Sequence, residues 1–377
     1  MSSHEGLIYI SLGNIIGAVL TGIFWLALAS IQGVGDYGHI NYVVSIGSLA
    51  SGIALLGLNT TVTTLTPKGN SKIIVQANQI ILISAVICSI VVSSINWMLG
   101  PFVIGMSFWM MASYELIAHK TYKKYALNVI GARGTQLILS LTLYYILGSQ
   151  GLLLGFIIAY FAFSRPYFTT IRDFDFHFGN VKKIFGTSLH LYSYNLSNAF
   201  LLYFDKLIIG PLFGYVLLGY YQLGFQFLMF FSMIPVSFYQ YLVSHESGGG
   251  KENKLRIYSI FLSILLSALF FVFAPQIITM FFHNYDQSVN SMRILSIGII
   301  PMMIISTLNS RFLSLNLTKY IMFSSIIYQA LQVVLLFLLG TRYGIEGISS
   351  SVVISMACQS IFLFISFLRT SAYHTKL

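Results

Sequence analysis

The chain has 377 residues, of which 56% are apolar and only 8% are charged. A soluble globular domain carries about 25% charged residues, so this composition excludes a water-soluble particle of this size. The net charge of +10 does not indicate a nucleic-acid partner, because the cytoplasmic loops of membrane proteins are enriched in Lys and Arg and contact anionic lipid headgroups.

Uncharged apolar segments follow one another along the whole chain. A helix needs about 20 residues to span about 30 Å of hydrocarbon, and several segments are long enough for two crossings. Strands are disfavoured, because a membrane barrel shows alternation in segments of about 10 residues. We therefore predict an all-α integral membrane protein with twelve transmembrane helices, at residues 7–31, 37–64, 73–97, 101–119, 123–147, 151–170, 186–212, 216–243, 255–281, 287–312, 318–340 and 344–368.

The connections between the predicted helices have a strong charge bias. Sixteen of the twenty Lys and Arg residues fall on one side of the twelve-helix arrangement, Arg342 falls on the other, and the remaining three lie within helices. Loops rich in Lys and Arg mark the cytoplasmic side of a membrane protein. We therefore predict that the chain lies in the cell (plasma) membrane with both termini in the cytoplasm.

The second half of the chain repeats features of the first. Two six-helix halves are the simplest account, and because six is even, both halves enter the membrane in the same direction. We predict an N-terminal lobe over residues 1–180, which includes an interfacial linker, and a C-terminal lobe over residues 181–377. The supporting shift of 181 residues superposes Asn14 on Asn195, Gly38 on Gly219, Asn41 on Gln222, and Ser45 on Gln226.

Polar residues within four of the predicted helices recur at helical spacing, so each set forms one stripe. Stripes on corresponding helices of two parallel halves would line a shared cavity. Alternatively, they pack the bundle through interhelical hydrogen bonds worth about 0.6 kcal/mol each. Packing better explains any single residue, whereas the recurrence in both halves favours the cavity. The candidates for this cavity include Asn14, Asn41, Asn195, Asn198, Gln222 and Gln226.

Ionisable residues within predicted helices are further candidates, because a charge inside a span costs at least about 2.5 kcal/mol. The side chains of Asp205 and Lys206 point about 100° apart on a helix, so we expect that they do not simply neutralise one another. Asp205 should face the cavity, and Lys206 should extend towards the outer surface. Arg133 is predicted near the membrane midplane, with Glu115 as a candidate partner. Arg293 is a further candidate near the outer end of its helix.

Two segments resemble a known family. The segment "GVGDYGHINYVVSIGSLASGIALLGLNTTV" resembles the end of the first helix and the second helix of Wzx-type polysaccharide flippases. The segment "YFDKLIIGPLFGYVLLGYYQLGFQFLMFFSMIPVSFYQYL" is similar to their helices 7 and 8. The flippases belong to the multidrug/oligosaccharidyl-lipid/polysaccharide exporter superfamily, and the resemblance extends over the whole chain in span count and division into lobes.

The resemblance implies a V-shaped pair of six-helix lobes that works by alternating access. Such a protein carries a lipid-linked oligosaccharide, a polyprenyl-pyrophosphate glycan, to the outer leaflet for surface polysaccharide or glycan biosynthesis. A cationic cavity would hold the headgroup. Asp205 and Lys206 match the acid and base of the family's helix 7, and Arg133 is a cavity candidate because of its predicted depth alone. The implied partners are membrane lipids and the lipid-linked oligosaccharide, with a glycan polymerase or glycosyltransferases as further candidates for a monomeric transporter.

Two other functions stay open at this point. A multidrug or cation antiporter of the same superfamily would share the fold but would need an acidic N-terminal cavity, where Glu115 is the single intramembrane carboxylate. A membrane-embedded polysaccharide polymerase would need catalytic residues on a sizeable external loop, and the outer loops here are short. Cys88 and Cys358 lack metal or disulfide spacing, and no nucleophile or P-loop motif is present. We therefore predict no enzymatic activity, no cofactor and no metal.

The charge bias predicts a labelling pattern in intact cells. In a chain whose Cys88 and Cys358 are replaced by serine, a Gly249→Cys substitution should be shielded from an impermeant thiol reagent added outside. A Ser149→Cys substitution should be labelled, because the turn at this position is predicted on the outer side. The opposite pattern would invert the orientation and, with it, the direction of transport.

Overall fold

The computed structural model describes residues 3–66, 72–170, 202–247, 253–315 and 317–374, and all regular secondary structure in these ranges is α-helical. Eight helical stretches in them are long and apolar enough to cross a membrane, so the chain is a multi-pass membrane protein. In chain order the helices are α1 Ser3–Ile31, α2 Val34–Ala54, α3 Leu58–Leu65, α4 Lys72–Ser93, α5 Leu99–Ala118, α6 Tyr122–Ala162, α7 Arg165–Thr170, α8 at 202–213, α9 Tyr215–Phe231, α10 Met233–Ser247, α11 Asn253–Phe281, α12 Ser288–Ile297, α13 Ile299–Ser314 and α14 Thr318–His374.

Helices α6 and α14 each contain a sharp turn at a glycine. Gly148 has φ 63° and ψ −145°, and Gly344 has φ 58° and ψ −131°, a region of backbone conformation that glycine adopts without steric cost. After the first turn, Gly155 packs directly against the backbone of Ser140, so the two parts of α6 form a hairpin. Both turns lie where the sequence predicts a boundary between two helices.

Other predicted helices are divided by local breaks. The predicted helix at 37–64 ends early, because Leu56 and Gly57 have positive φ values of 49° and 73° between α2 and α3. Further breaks at Ser232 and Gly298 separate α9 from α10 and α12 from α13. The predicted helix at 186–212 lies largely outside the described residues, so the count of twelve transmembrane helices stays a prediction.

The chain divides into two compact units. The first unit comprises Met1–Leu28 and Ile40–Leu207, and the second comprises Ala29–His39 and Ile208–Leu377. The end of α1 and the start of α2 therefore belong to the second unit, although they lie near the start of the sequence. The predicted lobe boundary after residue 180 lies outside the described residues and stays a prediction.

In the first unit, small residues bring α1 close to α6. Gly13 and Gly17 are four residues apart on α1, and they face Ala126 and Val129 of α6. Two small residues at this spacing let helix backbones approach closely inside a membrane. Helix α5 packs against α6 on one side and against α4 on another. Helix α6 therefore lies between α1 and α5 over the segment that carries Arg133.

In the second unit, α2 and α9 cross at a pair of glycines. A Cβ atom on Gly38 would overlap the carbonyl oxygen of Tyr215, and a Cβ atom on Gly219 would overlap that of Val34. Backbones this close make Cα–H···O contacts. The shift of 181 residues relates Gly38 to Gly219 and Val34 to Tyr215. A symmetric crossing of the two predicted repeats would bring these residues together in this way.

The crossing predicts a large difference between two glycine substitutions. Gly38→Ala should destabilise the protein by about 1–3 kcal/mol, because the added methyl group would overlap backbone atoms. Gly134→Ala in α6 is the matched control, since a Cβ there meets nothing within 4 Å, and it should be neutral or stabilising by up to about 1 kcal/mol. Thermal unfolding in detergent measures both changes, and equal stabilities would contradict the close crossing.

Candidate functional site

Arg133 lies inside α6, far from both ends of its straight part. It is about 16 Å along the helix axis from Tyr122 and about 22 Å from the turn at Gly148. Its side chain is half-buried. A cation at such a depth in a membrane requires hydrogen-bond acceptors, a charge partner or water, and is typically part of a substrate or ion pathway.

Neutral side chains surround the Arg133 guanidinium group. Its Nη1 atom donates to Gln136 Oε1 at 2.8 Å and to the Tyr160 hydroxyl at 3.3 Å. The guanidinium carbon lies 4.8 Å from the centre of the Trp109 ring and 6.0 Å from that of Tyr160, within the range of cation–π attraction. Among the described residues no carboxylate pairs with Arg133, so its positive charge is held but not neutralised there.

Aromatic packing fixes the two rings that contact Arg133. The rings of Trp109 and Tyr160 stack with centres 5.2 Å apart and planes 19° apart. Phe102 and Phe156 pack against Tyr160 at 5.7 and 6.0 Å, and both stacked residues are buried. Trp109 Nε1 is also buried and has no hydrogen-bond partner in the described part of the chain. The guanidinium therefore lies against a rigid surface that leaves most of its donors to other ligands.

The carboxylate of Glu115 belongs to a separate cluster. It accepts hydrogen bonds from Asn78 Nδ2 of α4 at 2.6 Å and from Thr170 Oγ1 of α7 at 2.9 Å. The Tyr167 hydroxyl donates to the backbone carbonyl of Asn78 at 2.7 Å. Glu115 is thus directed towards α4 and α7, and it does not form the ion pair with Arg133 that the sequence suggested as an alternative.

Asp205 and Lys206 form an ion pair, so the expectation that they do not neutralise one another is wrong. Lys206 Nζ lies 2.9 Å from Asp205 Oδ1 and donates to the Leu202 carbonyl at 2.7 Å. Both residues are buried, so Lys206 does not extend to the outer surface. Although neighbouring side chains leave a helix in different directions, the flexible four-carbon stem of lysine bends back far enough to reach the adjacent carboxylate.

Two of the four predicted polar residues of the first unit lie in the described part of the chain. Asn14 Oδ1 accepts a hydrogen bond from the Tyr125 hydroxyl of α6 at 2.7 Å, and Asn41 is buried in α2. Asn195 and Asn198 lie outside the described residues. The contact between Asn14 and Tyr125 is the kind of interhelical hydrogen bond that packs a membrane bundle.

The predicted polar residues of the second unit are on α9 and α12. Gln222 and Gln226 lie one turn apart on α9 and are buried, and Gln222 Oε1 has no partner within the described ranges. Arg293 of α12 lies with its guanidinium carbon 5.4 Å from the centre of the Phe271 ring. Its Nε atom is buried without a partner among the described residues.

Sequence reasoning located Arg133 but missed the residues that hold it. Gln136 lies three residues further along the same helix, a spacing that places two side chains on one face, so this contact could have been inferred. Trp109 and Tyr160 come from distant segments, and no local pattern marks them. Depth along a helix follows from counting residues, whereas contacts between helices depend on how each helix is rotated.

No family model matches the chain, and no curated protein matches its sequence. Solved structures do share its fold. The lipid II flippase MurJ, in an inward closed conformation, aligns with a TM-score of 0.67 and 14% identity over 97% of this chain and 87% of its own. An inward-facing multidrug resistance MATE family transporter of the MOP superfamily aligns with a TM-score of 0.67 and 15% identity over 97% and 95%. A Vibrio cholerae MATE transporter aligns with a TM-score of 0.63 and 14% identity over 97% and 96%.

These comparisons show the fold of the chain. The chain shares its all-α fold with a lipid II flippase and with MATE family transporters, and these structural neighbours are transporters, not enzymes. At 14–15% identity they do not distinguish a lipid flippase from a multidrug transporter.

The buried ion pair predicts a characteristic pattern of stabilities. Lys206→Met should lower the free energy of unfolding by about 3–5 kcal/mol, because it leaves the Asp205 carboxylate buried without its cation. The double variant Lys206→Met with Asp205→Asn should recover a large part of that loss. Lys124→Met, which removes an exposed lysine of α6, is the matched control and should have little effect. Thermal unfolding of all four proteins measures the coupling, and additive losses would contradict the pair.

Proposed function

We propose that this chain is a flippase that moves a lipid-linked oligosaccharide, a polyprenyl-pyrophosphate glycan, from the cytoplasmic to the outer leaflet of the plasma membrane. The proposal depends above all on Arg133, an intramembrane guanidinium group that neutral side chains hold in place. Guanidinium groups bind phosphate oxygens through two parallel hydrogen bonds. A pyrophosphate headgroup would supply both the acceptors and the negative charge that Arg133 lacks among the described residues.

The other charged groups within the helices of the first unit support an anionic ligand. Asp205 neutralises Lys206, and neutral donors on Asn78 and Thr170 bind the carboxylate of Glu115. Within the described helices of this unit, Arg133 is therefore the intramembrane cation without a carboxylate partner. An anionic headgroup would be attracted to it, and a cationic drug would be repelled.

The neighbours and the loop charges complete the proposal. One solved neighbour is named as a lipid II flippase, so the fold is compatible with the movement of a lipid-linked molecule. The charge bias of the loops supports an orientation with both termini in the cytoplasm. We propose a role in surface polysaccharide or glycan biosynthesis, with lobes at 1–180 and 181–377. Further proposed substrate contacts are Asp205, Lys206, Asn14, Asn41, Asn195, Asn198, Gln222 and Gln226, with Arg293 as an additional charged group.

A multidrug or cation antiporter is the second candidate, and Glu115 is the observation that favours it. A buried carboxylate in the N-terminal part of the chain could take up a proton or a metal cation in exchange for a drug. Two of the neighbours described above are MATE transporters. In that case Glu115, rather than Arg133, would be required for transport.

The test measures transfer of a labelled lipid by the purified full-length chain in proteoliposomes. The probe is a polyprenyl-pyrophosphate disaccharide carrying a nitrobenzoxadiazole dye, which external dithionite bleaches once the headgroup is exposed outside. Arg133→Ala should slow transfer at least about tenfold, since a hydrogen bond to a charged group is worth about 1.5–3 kcal/mol and 1.4 kcal/mol is about a factor of ten. Arg133→Lys should keep part of the activity, because it retains the charge but not the planar fork.

Two controls separate loss of substrate binding from loss of protein. Lys124→Ala removes an exposed cation of the same helix and should transfer the probe at the wild-type rate, and the amount of reconstituted protein is measured for every variant. A wild-type rate for Arg133→Ala would contradict the proposed site. If Glu115→Gln abolished export of the cationic dye ethidium while Arg133→Ala did not, the antiporter would be the better assignment.

A further inference from the structure

Arg293 is a cation within a span of the second unit, and the function proposed above does not specify what it binds. Its guanidinium carbon lies 5.4 Å from the centre of the Phe271 ring, and its Nε atom is buried. Among the described residues the guanidinium group has no hydrogen-bond acceptor and no carboxylate within ion-pair distance. Arginine carries five N–H donors, so these donors are left to water or to a ligand.

Helix α12 has two distinct faces, and Arg293 lies on the one that is open. Ser288 and Ser291 form hydrogen bonds with α9 and α14, so their face packs inside the unit. Asn290, Arg293 and Ile297 are spaced three and four residues apart and therefore share another face. Asn290 and Ile297 are both exposed, and Arg293 between them is partly exposed.

Helix α11 lies beside this open face and borders the hydrocarbon. In its most apolar stretch 28% of the residues are buried, and Phe271, which contacts the guanidinium group, is 43% exposed. Apolar side chains that a membrane-spanning helix leaves exposed contact acyl chains. Arg293 therefore lies at an edge between α11 and α12 where protein meets lipid.

The position of Arg293 along its helix brings it close to the level of the lipid phosphates. Helices α12 and α13 span 27 residues from Ser288 to Ser314, which is about 40 Å at the rise of an α-helix. A bilayer is about 40–45 Å thick with its headgroups and about 30 Å without them. Arg293 is about 8 Å from the start of α12, near the boundary of the hydrocarbon, where a long cationic side chain extends towards the headgroups.

We propose that Arg293, together with Phe271 and Ile297, binds an anionic phospholipid of the surrounding bilayer. The guanidinium group would donate two hydrogen bonds to the lipid phosphate, and an acyl chain would lie against Phe271 and Ile297. A lipid with a net negative charge balances the arginine, whereas a zwitterionic headgroup brings a cation of its own. In the predicted topology this end of α12 is on the outer side, so the lipid belongs to the outer leaflet.

The carboxylate of Glu346 does not take the place of this lipid. Its Oε1 atom accepts a hydrogen bond from Asn290 Nδ2 at 2.8 Å, and both residues are exposed. Asn290 is one turn closer to the start of α12 than Arg293 is, so Glu346 lies on the aqueous side of the site. There water can hydrate the carboxylate, and Arg293 is left for a ligand from the membrane.

The transported lipid proposed above also carries phosphate, so it is the other possible source of this ligand. The side chains beside Arg293 favour a bilayer phospholipid. Phe271 and Ile297 offer acyl chains an apolar surface, and they offer a glycan no hydrogen bond. The inference goes beyond the proposed function and does not depend on it.

The experiment measures how brominated phospholipids quench the fluorescence of Phe271→Trp, using the full chain in phosphatidylcholine vesicles. Bromine on an acyl chain quenches an indole ring that it contacts. The three native tryptophans are common to the variant and its parent, so the difference between the two proteins reports this position. Dibrominated phosphatidylglycerol should quench with an apparent affinity at least about tenfold higher than dibrominated phosphatidylcholine does, because a charged pair adds to the acyl contact.

Three further variants, each in the Phe271→Trp protein, assign the preference to one side chain. Arg293→Gln should abolish the preference, and Arg293→Lys should keep part of it, because it retains the charge but not the planar fork. Arg342→Gln removes an exposed cation of the turn in α14 and is the matched control, which should keep the full preference. Thermal unfolding in lipid-free detergent checks that each variant is folded.

Three results would overturn the proposal. The first is equal quenching by the two brominated lipids in the Phe271→Trp protein, and the second is an unchanged preference in Arg293→Gln. The third is complete relief of quenching by unlabelled polyprenyl-pyrophosphate disaccharide at a small fraction of the phosphatidylglycerol concentration, because the site would then belong to the transported lipid. The readout requires no transport, so failure of the assay described for Arg133 would leave this inference standing.

Discussion

The absence of hydrogen-bonding solvent in the bilayer is the constraint on which this structure depends. Helices satisfy their own backbone groups, so the chain can consist almost entirely of apolar side chains, but each charged side chain within a span then needs a specific solution. The first unit shows three such solutions. Lys206 is neutralised by its neighbour Asp205, Glu115 is surrounded by neutral donors, and Arg133 lies between a glutamine and two aromatic rings. The third arrangement leaves a cation that has no carboxylate partner among the described residues and could bind an anionic ligand.

The fold could be predicted from the sequence where the chain must turn, and less well where it merely bends. Gly148 and Gly344 lie in "GSQG" and "GTRYG", short polar segments between long apolar ones, and both adopt the left-handed backbone that only glycine accepts easily. The break at Leu56 and Gly57 lies inside an apolar run, where a non-glycine residue also takes a positive φ. Packing against neighbouring helices determines such breaks, and composition does not reveal them.

The candidate site could likewise be predicted from the sequence only in part. The position of Arg133 along its helix could be predicted because the rise per residue of a helix is constant. Its aromatic partners could not be predicted, because the rotation of α5 and of the second half of α6 determines which residues meet it. The expectation that Asp205 and Lys206 do not simply neutralise one another is wrong for a different reason. Helix geometry sets only the direction in which a side chain leaves the backbone, and the flexible lysine bends back to the adjacent carboxylate.

The crossing of α2 and α9 also constrains how the two halves of the chain can diverge. After a duplication, most positions of two copies are free to drift separately, because each copy packs in its own surroundings. Gly38 and Gly219 occupy equivalent positions in the predicted repeat, yet they lie in one shared contact. Gly38 lies against the carbonyl group of Tyr215, and Gly219 lies against that of Val34. A larger side chain in either copy would push apart the backbones of both. A change at either glycine therefore affects both halves. If the predicted repeat arose by duplication, the likeness between the halves should persist at this crossing longer than at positions that pack separately.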